Sequence, residues 1–124
     1  MKLSRLIDPK FKASLTLLNS QKLPLKAAFK LKTIIKKVDE AYENYDQVRL
    51  TALNNYGSKK EDGSLDQDAE GNVRLDDENA QKFVNQLKEL INVDIDLPAL
   101  SVSELGNDIT ISSEDLMPLD FLTE

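Results

Sequence analysis

The sequence of 124 residues contains no cysteine and no histidine. Without cysteine there is no disulfide framework, no thiolate nucleophile and no cysteine-based zinc site, and the chain is compatible with a reducing cytoplasm. Without histidine, the chain lacks the commonest general base and the commonest transition-metal ligand. Carboxylates, lysines and tyrosines would have to carry any chemistry. These absences favour a protein that is not an enzyme and that uses no cofactor and no resident metal.

Long hydrophobic runs are absent as well. No segment approaches the roughly 20 apolar residues of a membrane span, and the N-terminal residues lack the apolar stretch of a signal peptide. Hydrophobic residues make up 40% of the chain, enough for the modest core of one small domain, residues 1–124. We therefore expect a soluble, cytoplasmic protein with no membrane partner.

What the chain has in abundance is charge, and the charge is sorted along the sequence. Residues 1–37 hold ten basic residues and one acid, whereas residues 38–124 hold six basic and twenty-one acidic residues. The net charge of −6 conceals this asymmetry. Opposite charge at the two ends of a chain governs how molecules meet, so it favours self-association or a charged partner.

Proline and glycine are few, with four of each, and they mark the helix boundaries. Pro24 favours a helix start and Gly57 favours a helix end, and neither residue type occurs between them. The sequence predicts one helix over residues 24–56, about 50 Å long at 1.5 Å per residue. Such a rod is long for a globule of this size, so we expect another subunit or another protein to cover part of it. Its apolar positions follow coiled-coil spacing and form the predicted interface, which consists of Leu31, Ile35, Val38, Tyr42 and Tyr45.

Shorter elements flank this helix. Asp8 and Pro9 predict the start of a short N-terminal helix that ends near Asn19. Residues 57–76 form a polar, acidic connection in which no internal repeat is visible. Asp76 then caps a second helix, residues 77–91, which should fold back on the acidic half of the long helix as a helical hairpin. Its expected buried stripe consists of Phe83, Val84, Leu87, Leu90 and Ile91.

The C-terminal third changes from helical to alternating periodicity. Residues 93–97 alternate as in an edge strand, and residues 109–111 should form a returning strand. Ser112 or Ser113 should cap a final helical turn. Residues 113–124 are either docked on the core or a tail that docks on a partner. The expected fold class is α+β, mainly α, with a small C-terminal β element.

Residues 66–77 imitate a calcium-binding loop. Asp66, Asp68, Glu70, Gly71 and Asn72 match its early positions. The last ligand position, however, is an aspartate instead of glutamate, and an arginine stands among the ligands. A charged turn that uses Asp and Gly for their backbone preferences is the favoured interpretation.

The basic half of the long helix is the candidate ligand-binding surface. Lysines spaced by helical turns could bind the phosphates of a nucleotide or a nucleic acid, although this half of the helix contains no arginine for bidentate phosphate contacts. The favoured interpretation is a solvated face that steers oligomer assembly. The candidate residues are Lys26, Lys30, Lys32, Lys36 and Lys37.

The segment from Leu23 to Leu31, the helix end Asn55-Tyr56-Gly57, the turn Glu70-Gly71-Asn72, the spacing of Phe83, Leu87 and Leu90, and Val93-Asp94-Ile95 form one arrangement. It resembles a group of small, uncharacterised proteins encoded by tailed bacteriophages, over roughly residues 15–122. The resemblance implies expression inside an infected bacterium and a non-enzymatic role, and it supplies no catalytic motif.

Taken together, these patterns predict a non-enzymatic phage protein that forms homo-oligomers and binds another phage or host protein. It would serve as a virion or assembly component, or as a host-directed accessory factor. The alternative is an oligomeric sponge that uses the basic half of the long helix to sequester a small anionic ligand, such as a nucleotide signal of host defence.

Overall fold

The computed structural model describes residues 1–123 and has the expected α+β, mainly α, architecture. Three substantial helices are accompanied by short helical turns and a small two-stranded parallel sheet. The α-helices in this range are α1 (Leu3–Leu6), α2 (Pro9–Asn19), α3 (Leu25–Tyr56), α4 (Asp77–Ile91) and α5 (Ser113–Leu116). The strands are β1 (Leu100–Ser101), which leads into a 3-10 helix (Val102–Leu105), and β2 (Leu122–Thr123).

The chain divides into two compact units, and α3 contributes to both. The first unit contains residues 1–42 together with the C-terminal segment from residue 93 onward, and the second contains residues 43–92. The chain therefore passes from the first unit into the second within α3, and it returns to the first unit after α4.

The helix starts follow from local chemistry. Asp8 caps α2 by accepting a hydrogen bond from the backbone N–H of Lys10, at 3.0 Å, and Pro9 takes the first helical position. The helix α3 begins one residue after Pro24, whose carbonyl accepts the N–H of Ala28. The predicted N-terminal helix and the predicted bounds of both long helices are confirmed.

In the first unit, α3 buries a row that differs from the predicted seam. Ala27, Leu31, Ile34 and Val38 are buried, whereas Ile35 is only half-buried. The two rows share Leu31 and Val38 and both follow the three-and-four spacing of a helix face. They differ at the adjacent residues Ile34 and Ile35, which point about 100° apart around the helix. The side chains that pack against α3 decide which row is covered. The unit's other buried apolar residues are Leu3, Leu6, Phe11, Leu15, Leu18, Leu100, Leu105, Leu119 and Phe121.

The β structure differs from the two expected strands. Residues 93–97 form no regular strand; Lys2 and Asp94 make a single antiparallel bridge, and the N–H of Leu3 donates to the carbonyl of Val93. Residues 109–111 are irregular, because the backbone N–H of Thr110 donates to the Gln21 side chain at 2.9 Å. The sheet instead pairs β1 with β2 in parallel, with Leu100 opposite Leu122.

The C-terminal segment belongs to the core of the first unit. Ser112 caps α5 through its hydroxyl, which accepts the N–H of Asp115. Leu119 and Phe121 are buried, and the ring of Phe121 packs edge-on against Phe11 with centroids 6.2 Å apart. Of the two expected arrangements, docking on the core is the one present over residues 113–123.

The second unit contains the expected helical hairpin. Gln86 of α4 donates a hydrogen bond of 2.7 Å to the hydroxyl of Tyr56, the last residue of α3. Asp76 caps α4 by accepting the N–H of Asn79 at 2.8 Å. The expected buried stripe of α4 is only half covered: Phe83, Val84, Leu87, Leu90 and Ile91 are half-buried or exposed, because α3 covers them from one side alone.

The connection between α3 and α4 contains a geometric repeat of eight residues that residue identities did not reveal. Asp66 donates its backbone N–H to the carbonyl of Ser58, Arg74 donates to Asp66, and Ser58 donates to Arg74, each at 2.8 Å. These three hydrogen bonds form a closed ring of backbone segments. Gly57 lies beneath the ring, where an added Cβ would lie 2.7 Å from Val73 and 2.8 Å from Leu65.

Within residues 1–123, no helix is both long enough and apolar enough to cross a membrane.

Candidate functional site

The five candidate lysines lie on α3 and fall into two groups. Lys26, Lys32, Lys36 and Lys37 are exposed, whereas Lys30 is half-buried. Lys30 donates a hydrogen bond of 2.9 Å to Oε2 of Glu104 in the 3-10 helix, which lies 74 residues further along the chain. The structure thus commits one of the five predicted ligand-binding cations to an internal ion pair and leaves four on the surface.

The environment of Glu104 stabilises its charged form. The hydrogen bond from Lys30 lowers the pKa of Glu104 most, partial burial of the carboxylate opposes this, and the charges of Lys30 and Lys26 lower it further. Ser101 caps the 3-10 helix by accepting the backbone N–H of Glu104, which fixes the position of the residue. The ion pair therefore fastens the 3-10 helix to the first turns of α3.

The first two turns of α3 expose two large apolar side chains. Leu25 is 90% exposed and Phe29 is 74% exposed, and a spacing of four residues places them on one side of the helix. Lys22, Lys26 and Lys32 are exposed nearby in the sequence. We call Leu25, Phe29, Lys26 and Lys32 the entry face of α3. An exposed apolar pair among lysines is typical of a protein contact surface.

The five residues of the predicted interface have different surroundings. Leu31 and Val38 are covered by their own chain, inside the core of the first unit. Ile35 and Tyr45 are half-buried, and Tyr42 is 44% exposed. The structure therefore does not bring all five together on one open face.

A cavity of about 210 Å³ lies between α2 and α3 in the first unit. Leu15, Ile35 and Val38 line its apolar floor, and Lys12 and Asp39 line it with charge. The ammonium group of Lys12 lies 5.3 Å from the centre of the Tyr42 ring, within the range of a cation–π contact. The cavity has room for one small apolar group, and its lining carries one positive charge, from Lys12, and one negative charge, from Asp39.

The acidic loop uses its carboxylates for turn formation. Asp68 accepts the backbone N–H groups of Glu70 and Asn72, at 2.9 and 3.0 Å, and Gly71 has a φ of 85°. The hydrogen bond from the Asn72 backbone is the main reason that the pKa of Asp68 is lowered. Among residues 1–123, no three acidic, histidine or cysteine side chains are grouped so that they could hold a metal ion. The turn interpretation of residues 66–77 accounts for this geometry.

Three residues of these surfaces, Glu104, Lys12 and Leu25, were not singled out from the sequence. Glu104 carries no motif, and only its place in the fold shows that it neutralises Lys30. Lys12 carries no motif either, and only the fold places it beside the ring of Tyr42. Leu25 did leave a signal, because it lies four residues before Phe29 and both residues lie off the predicted seam of α3, which indicates apolar side chains with no internal partner.

No protein-family model, no curated protein and no solved structure matches this chain.

Proposed function

We propose that this protein is a non-enzymatic protein-binding component of a tailed bacteriophage that works as an oligomer. It acts in the bacterial cytoplasm or in the virion, as an assembly component or as a factor directed at a host protein. The observation that carries this proposal is the entry face of α3, where two large apolar side chains, Leu25 and Phe29, are mostly exposed beside lysines. Their solvent-exposed surface favours contact with another protein.

The chemistry of the entry face defines the partner. Two apolar side chains supply the area that is removed from water, and the neighbouring lysines favour acidic groups around it. The partner is therefore a protein that presents an apolar patch with an acidic border. Because part of the attraction is between exposed charges, the association should weaken as salt is raised.

A photocrosslinking residue placed at Phe29 tests the proposal during infection. The crosslinked protein is identified by mass spectrometry and purified, and its affinity is measured for the natural chain and for the double variant Leu25→Ser, Phe29→Ser. We expect the double variant to bind at least ~10-fold more weakly, since each large apolar side chain contributes about 1.5–3 kcal/mol when fully buried. Leu17→Ser, which alters an exposed leucine on α2, is the matched control and should bind normally. Equal affinity for all three chains would refute the proposed surface.

A second candidate function is sequestration of a small anionic ligand. The four exposed lysines of α3 favour it, because within residues 1–123 none of them forms an ion pair, whereas Lys30 is paired with Glu104. Native mass spectrometry of protein purified from its bacterial host at low salt tests it. Extra mass of a few hundred daltons per site, lost in Lys32→Gln and Lys36→Gln, would establish this function. A spectrum without added mass would reject it.

A further inference from the structure

The second unit has a surface that its own chain leaves incompletely covered. Within residues 43–92, all of which the structure describes, Gly57 is the only buried residue, so no side chain there is buried. The apolar row of α4 reaches only half-burial at Phe83, Leu87 and Leu90. An amphipathic helix is normally stabilised by burying its apolar stripe, and one neighbouring helix covers this stripe from a single side.

A groove of about 610 Å³ lies on the hairpin, lined by residues of α3 and by Gln86 of α4. Val48, which borders it, is 52% exposed. A smaller hollow of about 60 Å³ lies alongside, between Val48 and Ala52 of α3 and Phe83 and Leu90 of α4. We call the surface of the groove the neutral face, and its residues are Gln47, Val48, Thr51, Ala52, Asn55 and Gln86, with Tyr56 at the end of α3.

The neutral face is unusual because it carries no formal charge in a chain of which 31% is charged. Its polar members are amides and hydroxyls, which both donate and accept hydrogen bonds. In a two-fold symmetric contact a surface meets its own copy, so any net charge on it would repel itself. A neutral face with amides and half-covered apolar side chains avoids that repulsion and complements itself. An acidic or basic partner, by contrast, would find no opposite charge there.

We propose that the neutral face is a homodimer interface, at which the hairpin of one copy packs against the hairpin of a second copy. The resulting assembly places four helices together, the arrangement of a four-helix bundle. This inference rests on the oligomeric part of the proposed function and specifies its surface. That surface is separate from the entry face of α3, which is left for a different protein.

The size of the hairpin indicates the strength of the dimer. A helix of 15 residues is about 22 Å long, and two adjacent helices are about 20 Å wide, which gives a contact footprint of roughly 440 Å² per copy. Stable interfaces bury about 800 Å² per partner. The dimer should therefore be reversible, with association visible over micromolar concentrations.

Sedimentation velocity of the full chain between about 5 and 500 µM tests the inference. We expect the natural protein to pass from monomer to dimer over this range. Thr51→Lys places two like charges in the dimer interface and should remain monomeric throughout. Leu50→Lys is the matched control. It adds the same charge at the preceding residue, which is also exposed but points about 100° away around α3, so this variant should dimerise normally.

A mixing experiment tests whether the face meets itself. Thr51→Lys and Thr51→Glu should each be monomeric alone, and an equimolar mixture should recover dimers because the two charges are then opposite. Gln47→Lys, one helical turn earlier, replaces Thr51→Lys if circular dichroism shows that the latter does not fold. A monomeric natural protein at 500 µM, a dimer unaffected by charge on the neutral face, or a mixture that stays monomeric would overturn the inference. A monomer that still binds its partner through Leu25 and Phe29 would leave the protein-binding proposal standing.

Discussion

Replacing Phe121 by alanine should remove a large part of this protein's free energy of unfolding, although the residue lies near the C-terminus. Its side chain is 7% exposed and packs edge-on against Phe11, which is 1% exposed, with 75° between the ring planes. Truncating a buried phenylalanine costs about 3–5 kcal/mol. A chain of this length has a total unfolding free energy of about 6–19 kcal/mol, at 0.05–0.15 kcal/mol per residue. Phe121→Ala should therefore remove a substantial fraction of it.

Urea unfolding followed by circular dichroism at 222 nm measures this loss. Phe11→Ala should cost a similar amount, and the double variant should cost less than the sum of the two by about 0.5–1.5 kcal/mol, the coupling expected of an aromatic pair. Met117→Ala is the matched control in the same segment: its side chain is 74% exposed, so its effect should be within about 0.5 kcal/mol of zero. If Phe121→Ala behaved like Met117→Ala, the terminal segment would not be part of the core.

Three further outcomes test other parts of the structure. Gly106→Ala should lower the unfolding free energy by more than Gly63→Ala, since both glycines have positive φ but only at Gly106 would an added Cβ press on the proline before α3, at 3.2 Å; urea midpoints compare the two. Because the folded-state pKa of Glu104 is lowered from the ordinary glutamate value near 4.5, its ion pair stabilises the fold at pH values above 4.5. This stabilisation is lost as the pH falls through the folded-state pKa. The difference in urea midpoint between the natural chain and Glu104→Gln should therefore be present at pH 7 and should shrink at pH 3. Asp76→Ala removes the cap of α4 and should cost about 1 kcal/mol, which a rise in hydrogen exchange at the N–H of Asn79 would localise.

The helices could be predicted because their ends depend on residues that are close in sequence. Asp8 and Pro9 begin α2, Pro24 precedes α3, and Asp76 caps α4, each through contacts within a few residues. Gly57 ends α3 and also leaves space for two side chains of the connection. Local backbone chemistry was sufficient for all of these boundaries.

The β structure and the buried row of α3 could not be predicted in the same way. Residues 93–95 contact the N-terminus, and β1 pairs with β2 some twenty residues later, so each depends on a partner that local periodicity does not identify. Ile34 and Ile35 are equally apolar neighbours, and only tertiary packing selects Ile34 for the core. Strand pairing and burial are decided by distant parts of the chain.

The candidate surfaces were partly visible in the sequence. The lysine spacing on α3 predicted a basic surface from helical geometry alone, and four of the five candidate lysines are exposed. The pairing of Lys30 with Glu104 joins residues 74 positions apart and required the fold. The neutral face combines residues of α3 and α4 that no single stretch of sequence contains.

The closed ring of backbone hydrogen bonds among Ser58, Asp66 and Arg74 has a consequence for remodelling the chain. Each segment is bonded to both of the others, so the ring does not depend on the two turns that carry Gly63 and Gly71 at their tips. An added Cβ at either glycine would have no atom within 4 Å, which shows open space around both tips. A peptide epitope or a small reporter domain could be inserted at either tip while the segments beneath remain joined.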